Sequence, residues 1–236
     1  QQVSTLLPAR AGGSAARRRT AFHRRDGEME LALEHRFASA GDGGVSRGGQ
    51  AKNSAAVGFA CHTLVINPAD GGRGIFAGCS NGLIVAWRQH HDFRLDSKTT
   101  VFSGHKGAVC ALFLGQECGA HGLLFSGGAG RAIKVWDPHV RDPKTACVQT
   151  LAGHGGTITC LVYGGGTLFS SSNDHTVHLW RPDPGRALLL YPWFSVVQRI
   201  DAFSSWVNAL AIRVGEATAL YIGDASGTLS VYEPSG

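Results

Sequence analysis

The chain has 236 residues, of which 17% are charged and 33 are glycine, and its net charge is +5. That length accommodates one β domain or two smaller ones, and abundant glycine with few charges favours short strands and tight turns over helix. The longest apolar run, Ala187 to Val197, is broken by Pro192. It falls far short of the roughly 18 residues of a bilayer-spanning helix, so no membrane insertion is expected.

Residues 1–55 hold nine Arg or Lys against five Asp or Glu, so +4 of the +5 belongs to this segment. Residues 1–25 contain six arginines and no acid, interleaved with Ala, Gly and Ser. Such a composition cannot sustain a packed core and predicts a disordered basic tail. Two other readings stay open for it. One is a mitochondrial transit peptide, which has the same bias. The other is contact with RNA phosphates through Arg17, Arg18, Arg19, Arg24 and Arg25, since neutralising phosphates releases counterions whatever the base sequence. Residues 29–37 alternate apolar Met29, Leu31, Leu33 and Phe37 with polar or small neighbours, a period of two that favours a strand, although the spacing of Met29, Leu33 and Phe37 also fits a helix face. That strand is a candidate to complete a sheet begun at the other end of the chain.

From about Val57 a pattern repeats. Inner strands are expected at 59–66, 108–114, 157–163 and 206–212, and second strands at 73–78, 123–126 and 167–172. Third strands are expected at 82–88, 131–137, 175–181 and 227–233, and outer strands at 147–151 and 187–191. The third strands end in Trp87, Trp136, Trp180 and Tyr232, spaced 49, 44 and 52 residues apart. This is the period of one four-stranded propeller blade per repeat, and such a repeat cannot bury its apolar faces without stacking on its neighbours. Four blades follow, at about 57–103, 104–152, 153–203 and 204–236. The six cysteines form no C-x-x-C pair and read as small core residues in a reducing compartment.

Gly104-His105 and Gly153-His154 precede Trp136 and Trp180 by one repeat's interior, and Trp136 is followed by Asp137. With these motifs, residues 57–236 resemble the WD-repeat family of β-propellers. The resemblance implies an all-β propeller of which four repeats are visible, and a chain that is a fragment of a larger one or that takes its remaining blades from elsewhere, since the family generally uses about seven blades. It also implies a structural hydrogen-bond network of His154, Ser170, Asp174 and Trp180. In the second repeat His105, Ser126 and Trp136 stand at the same places, but Gly130 replaces the aspartate. The first repeat has Asn81 there and no Gly-His pair, and the fourth has Ser226, with Phe203 in place of the histidine.

Ser170, His154 and Asp174 also have the residue types of a nucleophilic triad, which would need an exposed serine, an oxyanion hole and a pocket. The serine falls inside a predicted strand and no G-x-S-x-G elbow surrounds it, so the structural role is expected and no catalytic residue. There is no phosphate-loop, H-E-x-x-H or dinucleotide fingerprint, and hence no expected cofactor, metal or small-molecule substrate. His90, His91 and Asp92 read as a solvated loop, and His175 and His178 as half-exposed strand residues.

The family resemblance implies protein binding on the face that carries the loops into the inner strands and the turns between second and third strands. Those positions are Lys106, Ala108, Gly155, Thr157, Ser204 and Trp206, with Ser80, Asn173 and Ala225 from the turns. Trp206 is the candidate anchor, with packing between blades as the other reading. The expected function is a non-catalytic scaffold for other proteins in an intracellular complex, cytoplasmic or nuclear, with mitochondrial placement open. An RNA-associated protein and a ubiquitin-ligase substrate receptor are the alternatives. Against the last, the W-D-x-R pattern is missing, because Pro138 and His139 follow Asp137.

Overall fold

The structure is a computed structural model that describes residues 24–25, 28–29, 60–67, 71, 74–88, 99–116, 122–140, 142–186, 191–215 and 218–233. The chain divides into two units, Gln1–Ala56 and Val57–Gly236. In the first, β1 (Arg24–Arg25) pairs antiparallel with β2 (Glu28–Met29). Met29 thus closes a short hairpin, and the rest of the strand expected at 29–37 lies outside the described residues, as do Arg17, Arg18 and Arg19.

The second unit is built of four antiparallel sheets in which consecutive strands are neighbours. The first sheet holds β3 (Cys61–Asn67), β4 (Gly74–Cys79), β5 (Ile84–Arg88) and β6 (Thr100–Phe102). The second holds β7 (Val109–Gly115), β8 (Leu123–Gly128), β9 (Ile133–Trp136) and β10 (Cys147–Leu151). The third holds β11 (Ile158–Gly164), β12 (Thr167–Ser172), β13 (Val177–Pro182) and β14 (Phe194–Ile200). The fourth shows three strands among the described residues, β15 (Val207–Arg213), β16 (Ala219–Asp224) and β17 (Leu229–Tyr232). No α-helix occurs among the described residues.

Each inner strand begins with the same irregularity, a register shift between Cys61 and Thr63, Val109 and Ala111, Ile158 and Cys160, and Val207 and Ala209. A bulge of this kind sharpens the local twist of the strand. The inner strands then pack side by side in chain order, β3 on β7, β7 on β11 and β11 on β15. Between the first two sheets Phe76, Ile84 and Val65 meet Val109, Leu112 and Leu114. Between the next pair Phe125, Ile133 and Val135 meet Ile158 and Leu161, and between the last pair Phe169, Val177 and Leu179 meet Val207 and Leu210. Burying a side chain of this size contributes about 1.5–3 kcal/mol, so each sheet is stabilised chiefly by the next.

The close approach uses glycine at one register in the first and second sheets, where the third has Ser171. A Cβ on Gly78 would lie 2.7 Å from Val109 Cγ1, and one on Gly127 2.6 Å from Ile158 Cγ2. The sheet faces interlock there only because no side chain stands in the way.

One expected strand is misplaced. The outer strand of the third sheet is Phe194–Ile200, not 187–191; Tyr191 lies outside any strand, and 187–190 fall outside the described residues. A 3-10 turn at Pro184–Arg186 lengthens the connection after β13, and Pro192 has no N–H to give a ladder. Pairing therefore starts at Phe194, whose ring is 2% exposed. Its backbone is gripped by a residue of the neighbouring sheet: Gln149 Nε2 donates to Phe194 O at 2.6 Å, and Phe194 N donates to Gln149 Oε1 at 2.9 Å.

Candidate functional site

The third sheet gathers the side chains that the sequence singles out. His154, in the segment entering β11, reaches Ser170 Oγ in β12 with Nε2 at 2.7 Å and Asp174 Oδ2 with Nδ1 at 2.9 Å. Trp180 Nε1, in β13, donates to the same Ser170 Oγ at 2.9 Å. Asp174 also accepts from Gly155 N at 2.7 Å, Thr176 Oγ1 at 2.6 Å and Thr176 N at 3.1 Å. The tautomer that satisfies every group has Nδ1–H donating to the carboxylate and Nε2 accepting from the serine hydroxyl.

The electrostatics agree with a neutral ring. Burial holds the His154 pKa below its ordinary value, even though the bond to Asp174 pulls the other way. The Asp174 carboxyl stays well below the usual carboxylate range, because its bonds to Thr176, His154 and Gly155 together outweigh its desolvation. In order and contacts, Ser170, His154 and Asp174 match a nucleophilic triad. Ser170 is nevertheless fully buried in mid-strand, with Trp180 on its oxygen. A nucleophile needs an open face toward an acyl carbon, and this hydroxyl has none.

In the second sheet His105 Nε2 lies 2.6 Å from Ser126 Oγ, which also accepts from Trp136 Nε1 at 2.7 Å. Burial, with Lys134 nearby, lowers the His105 pKa to about 4. Gly130 occupies the register of Asp174, so the carboxylate end of this network is missing. The first and fourth sheets use other bonds. Ser80 Oγ accepts from Ala60 N and Asn81 Oδ1 from Leu83 N, while Asp224 Oδ1 accepts from the backbone of Ser226 and Thr228.

His178 differs from the strand-surface residue the sequence suggests. It is 4% exposed, its ring stacks on His154 at 3.9 Å between centroids, and neither ring nitrogen has a hydrogen-bond partner. Its position alternates with Leu179 along β13, so nothing in the sequence separates it from a polar outward residue. His175, expected in the strand, sits in the preceding turn with φ +67°.

The expected binding face is tied together by one recurring bond. The turn after each second strand donates to the residue just before the inner strand: Ser80 to Ala60, Ala129 to Ala108, Asn173 to Thr157 and Ala225 to Trp206, at 2.8, 2.9, 3.0 and 2.8 Å. This places Ala108, Thr157 and Trp206, with Ser80, Asn173 and Ala225, at the same end of their sheets. Lys106, Gly155 and Ser204 precede the inner strands at one shared register, and all three are exposed. Thr157 and Asn173 are half-buried, and Trp206 is 54% exposed rather than enclosed between sheets.

His90, His91 and Asp92 lie outside the described residues, and no His, Cys, Asp and Glu group fit to hold a metal occurs among those described. Among the described residues no helix is long and apolar enough to cross a membrane.

Comparison with known proteins follows the same lines. The model of the "WD domain, G-beta repeat" family matches residues 96–137 and 145–181. The chain is 45% identical over 60 residues to F-box/WD repeat-containing protein 10 of Mus musculus, covering 25% of this chain and 5% of that protein. Among solved structures it is similar to the computationally designed Ika4 protein, with a TM-score of 0.56, 20% identity, and coverage of 75% of this chain and 92% of that one. It is also similar to the WD40 β-propeller domain of Doa1, with a TM-score of 0.52, 17% identity, and coverage of 75% and 56%. The chain spans a twentieth to under a fifth of the length of the curated relatives it matches. Residues 96–137 and 145–181 are WD40 repeats, and the same strand, turn and aromatic register runs through all four sheets, the fold of a WD40 β-propeller.

Proposed function

We propose that the protein is a non-catalytic scaffold that docks other proteins in an intracellular assembly, through the sheet ends bearing Lys106, Thr157, Asn173, Ser204 and Trp206. One contrast carries this reading: the hydroxyl with triad partners is sealed inside a sheet, while a tryptophan stands 54% exposed at the rim. Large amphipathic side chains in that setting are the usual energetic anchors of protein interfaces. The likeness to the F-box/WD protein supports the repeat reading and, spanning 5% of that protein, brings no ligase role with it.

Affinity purification of the tagged protein from cells tests the proposal, with Trp206→Ala set against Val196→Ala, a comparably exposed residue on the outer strand β14. Trp206→Ala is expected to lose partners that Val196→Ala keeps, at an unchanged melting temperature. An identical set of partners for both variants overturns it.

A further inference from the structure

The second sheet carries the donors of the third sheet's network without its carboxylate. In the third sheet Asp174 Oδ2 accepts from His154 Nδ1 at 2.9 Å and from Gly155 N at 2.7 Å. In the second, Ser126 Oγ lies 2.6 Å from His105 Nε2 and 3.5 Å from Lys134 O, so the hydroxyl donates to the ring and the ring's own proton stands on Nδ1. Among the described residues nothing accepts from that Nδ1 or from Lys106 N, the counterparts of the two donors to Asp174.

Small residues leave room where the carboxylate would stand. Gly130 has the register of Asp174 and Ala132 that of Thr176, so both the acid and the hydroxyl that holds it are replaced. The turn itself is the same in the two sheets. Arg131 N bonds to Gly128 O as His175 N does to Ser172 O, and Arg131 and His175 have φ of +64° and +67°. A Cβ on Gly130 would lie 3.5 Å from Lys106 N and 4.0 Å from Gly107 N, so two successive backbone amides line this notch. Successive amides turned to one side form a concavity that binds anions. Residues 103–108 and 128–134, which surround it, hold Lys106, Arg131 and Lys134 and no Asp or Glu, with Lys106 and Arg131 exposed. A sheet packs on either side, so this end of the second sheet has both its neighbours.

We propose that the notch at Gly130 receives the carboxylate of an aspartate or glutamate side chain on a partner protein, which takes the place that Asp174 fills from within in the third sheet. The inference rests on the docking face proposed above, of which Lys106 is part, and gives that face its chemistry. Asp174 is the template for the occupant, with one carboxylate oxygen shared by a ring N–H and a backbone N–H. Hydrogen bonds to an ionised acceptor are the stronger class, and losing this anchor corresponds to about 10- to 100-fold in affinity.

Nuclear magnetic resonance on the full chain reads the notch directly, with acetate as the probe against chloride at equal ionic strength. Acetate is expected to move the Lys106 amide proton downfield and to raise the His105 pKa from about 4. It is expected to do neither in Gly130→Asp, whose own carboxylate takes the place. A wild type blind to acetate, or a variant that responds as the wild type does, overturns the proposal. Proteins captured by the tagged wild type are expected to bind Gly130→Asp more weakly by the factor above, at a melting temperature no lower. Replacing the acidic residues of the bound partner segment with Gln or Asn is expected to reproduce that loss. Partners held equally by Gly130→Asp overturn the proposal too, since the notch then takes free carboxylates only. Loss of partners in Trp206→Ala with none in Gly130→Asp leaves the docking face standing without this notch, whereas loss in neither variant removes the docking face itself.

Discussion

His178 lies flat against His154 with ring centroids 3.9 Å apart, and of the two only His154 is hydrogen-bonded. Burial pushes the His178 pKa down to about 4; neighbouring His154 and Arg199 add to the shift and Asp174 partly opposes it. Burial lowers the pKa of both rings, and stacking a second charge on the first would cost more still, so the fold holds the neutral pair.

The consequence is acid sensitivity with a defined window. The folded pKa values of His178 and His105 are depressed, so the unfolded chain binds protons first as pH falls. The stability these residues contribute is complete above about pH 6.5 and is lost progressively toward pH 4, a full shift corresponding to about 3 kcal/mol for a single histidine. Melting temperature measured between pH 7.5 and 4 is expected to fall through that range, and His178→Leu to flatten the slope. Asp174, held low, acts in a separate window: its contribution persists until pH drops below the ordinary carboxylate range.

Ser170→Ala leaves Trp180 Nε1 and His154 Nε2 buried and without their shared oxygen. An unsatisfied buried polar group costs about 1–3 kcal/mol, so a loss of about 2–4 kcal/mol is expected, visible in thermal or urea unfolding. A variant that melts like the wild type would contradict the structural role of the network.

Gly130→Asp is expected to complete the second network. A Cβ there meets Lys106 N at 3.5 Å, ordinary contact, and that N–H is the counterpart of the Gly155 N–H that Asp174 accepts. The new carboxylate reaches the register from which Asp174 binds His154. A gain of about 1 kcal/mol is expected, a rise of roughly 2–4 °C in melting temperature for a domain of this size. The pKa of His105, followed by NMR, is expected to rise with it.

Gly127→Ala drives a methyl into Ile158 and is expected to destabilise by about 1–3 kcal/mol. Ile158→Ala in the same chain is expected to recover part of that loss. A double-mutant cycle measures the coupling, and strict additivity would show that the two sheets do not interlock there.

The sequence announces the repeats because Trp87, Trp136 and Trp180, two of them bonded through Nε1 to a buried serine, recur at a readable period. β12, which follows the glycine turn 164–166, and β10, which follows the Pro143–Thr145 turn, are placed to the residue. The outer strand β14 is hidden because Ala187 to Tyr191 is the more apolar stretch, while the signal that decides is a tertiary clamp from Gln149. His154, Ser170, Asp174 and Trp180 are legible as a set through the family pattern. The burial of His178 is not, since one strand position looks the same whether a neighbouring ring covers it or water does.

The bidentate grip of Gln149 on Phe194 ties the outer edges of the second and third sheets by two buried hydrogen bonds, where the first and second sheets meet there through Phe102 against Trp136 and the third and fourth through one exposed bond from Tyr232 Oη to Gln198 Oε1. These two sheets are thereby joined at both rims and open as one cooperative unit. Amide exchange slowest in β8, β9, β12 and β13, with β3 and β17 exchanging early, is the kinetic signature of such a fastened centre.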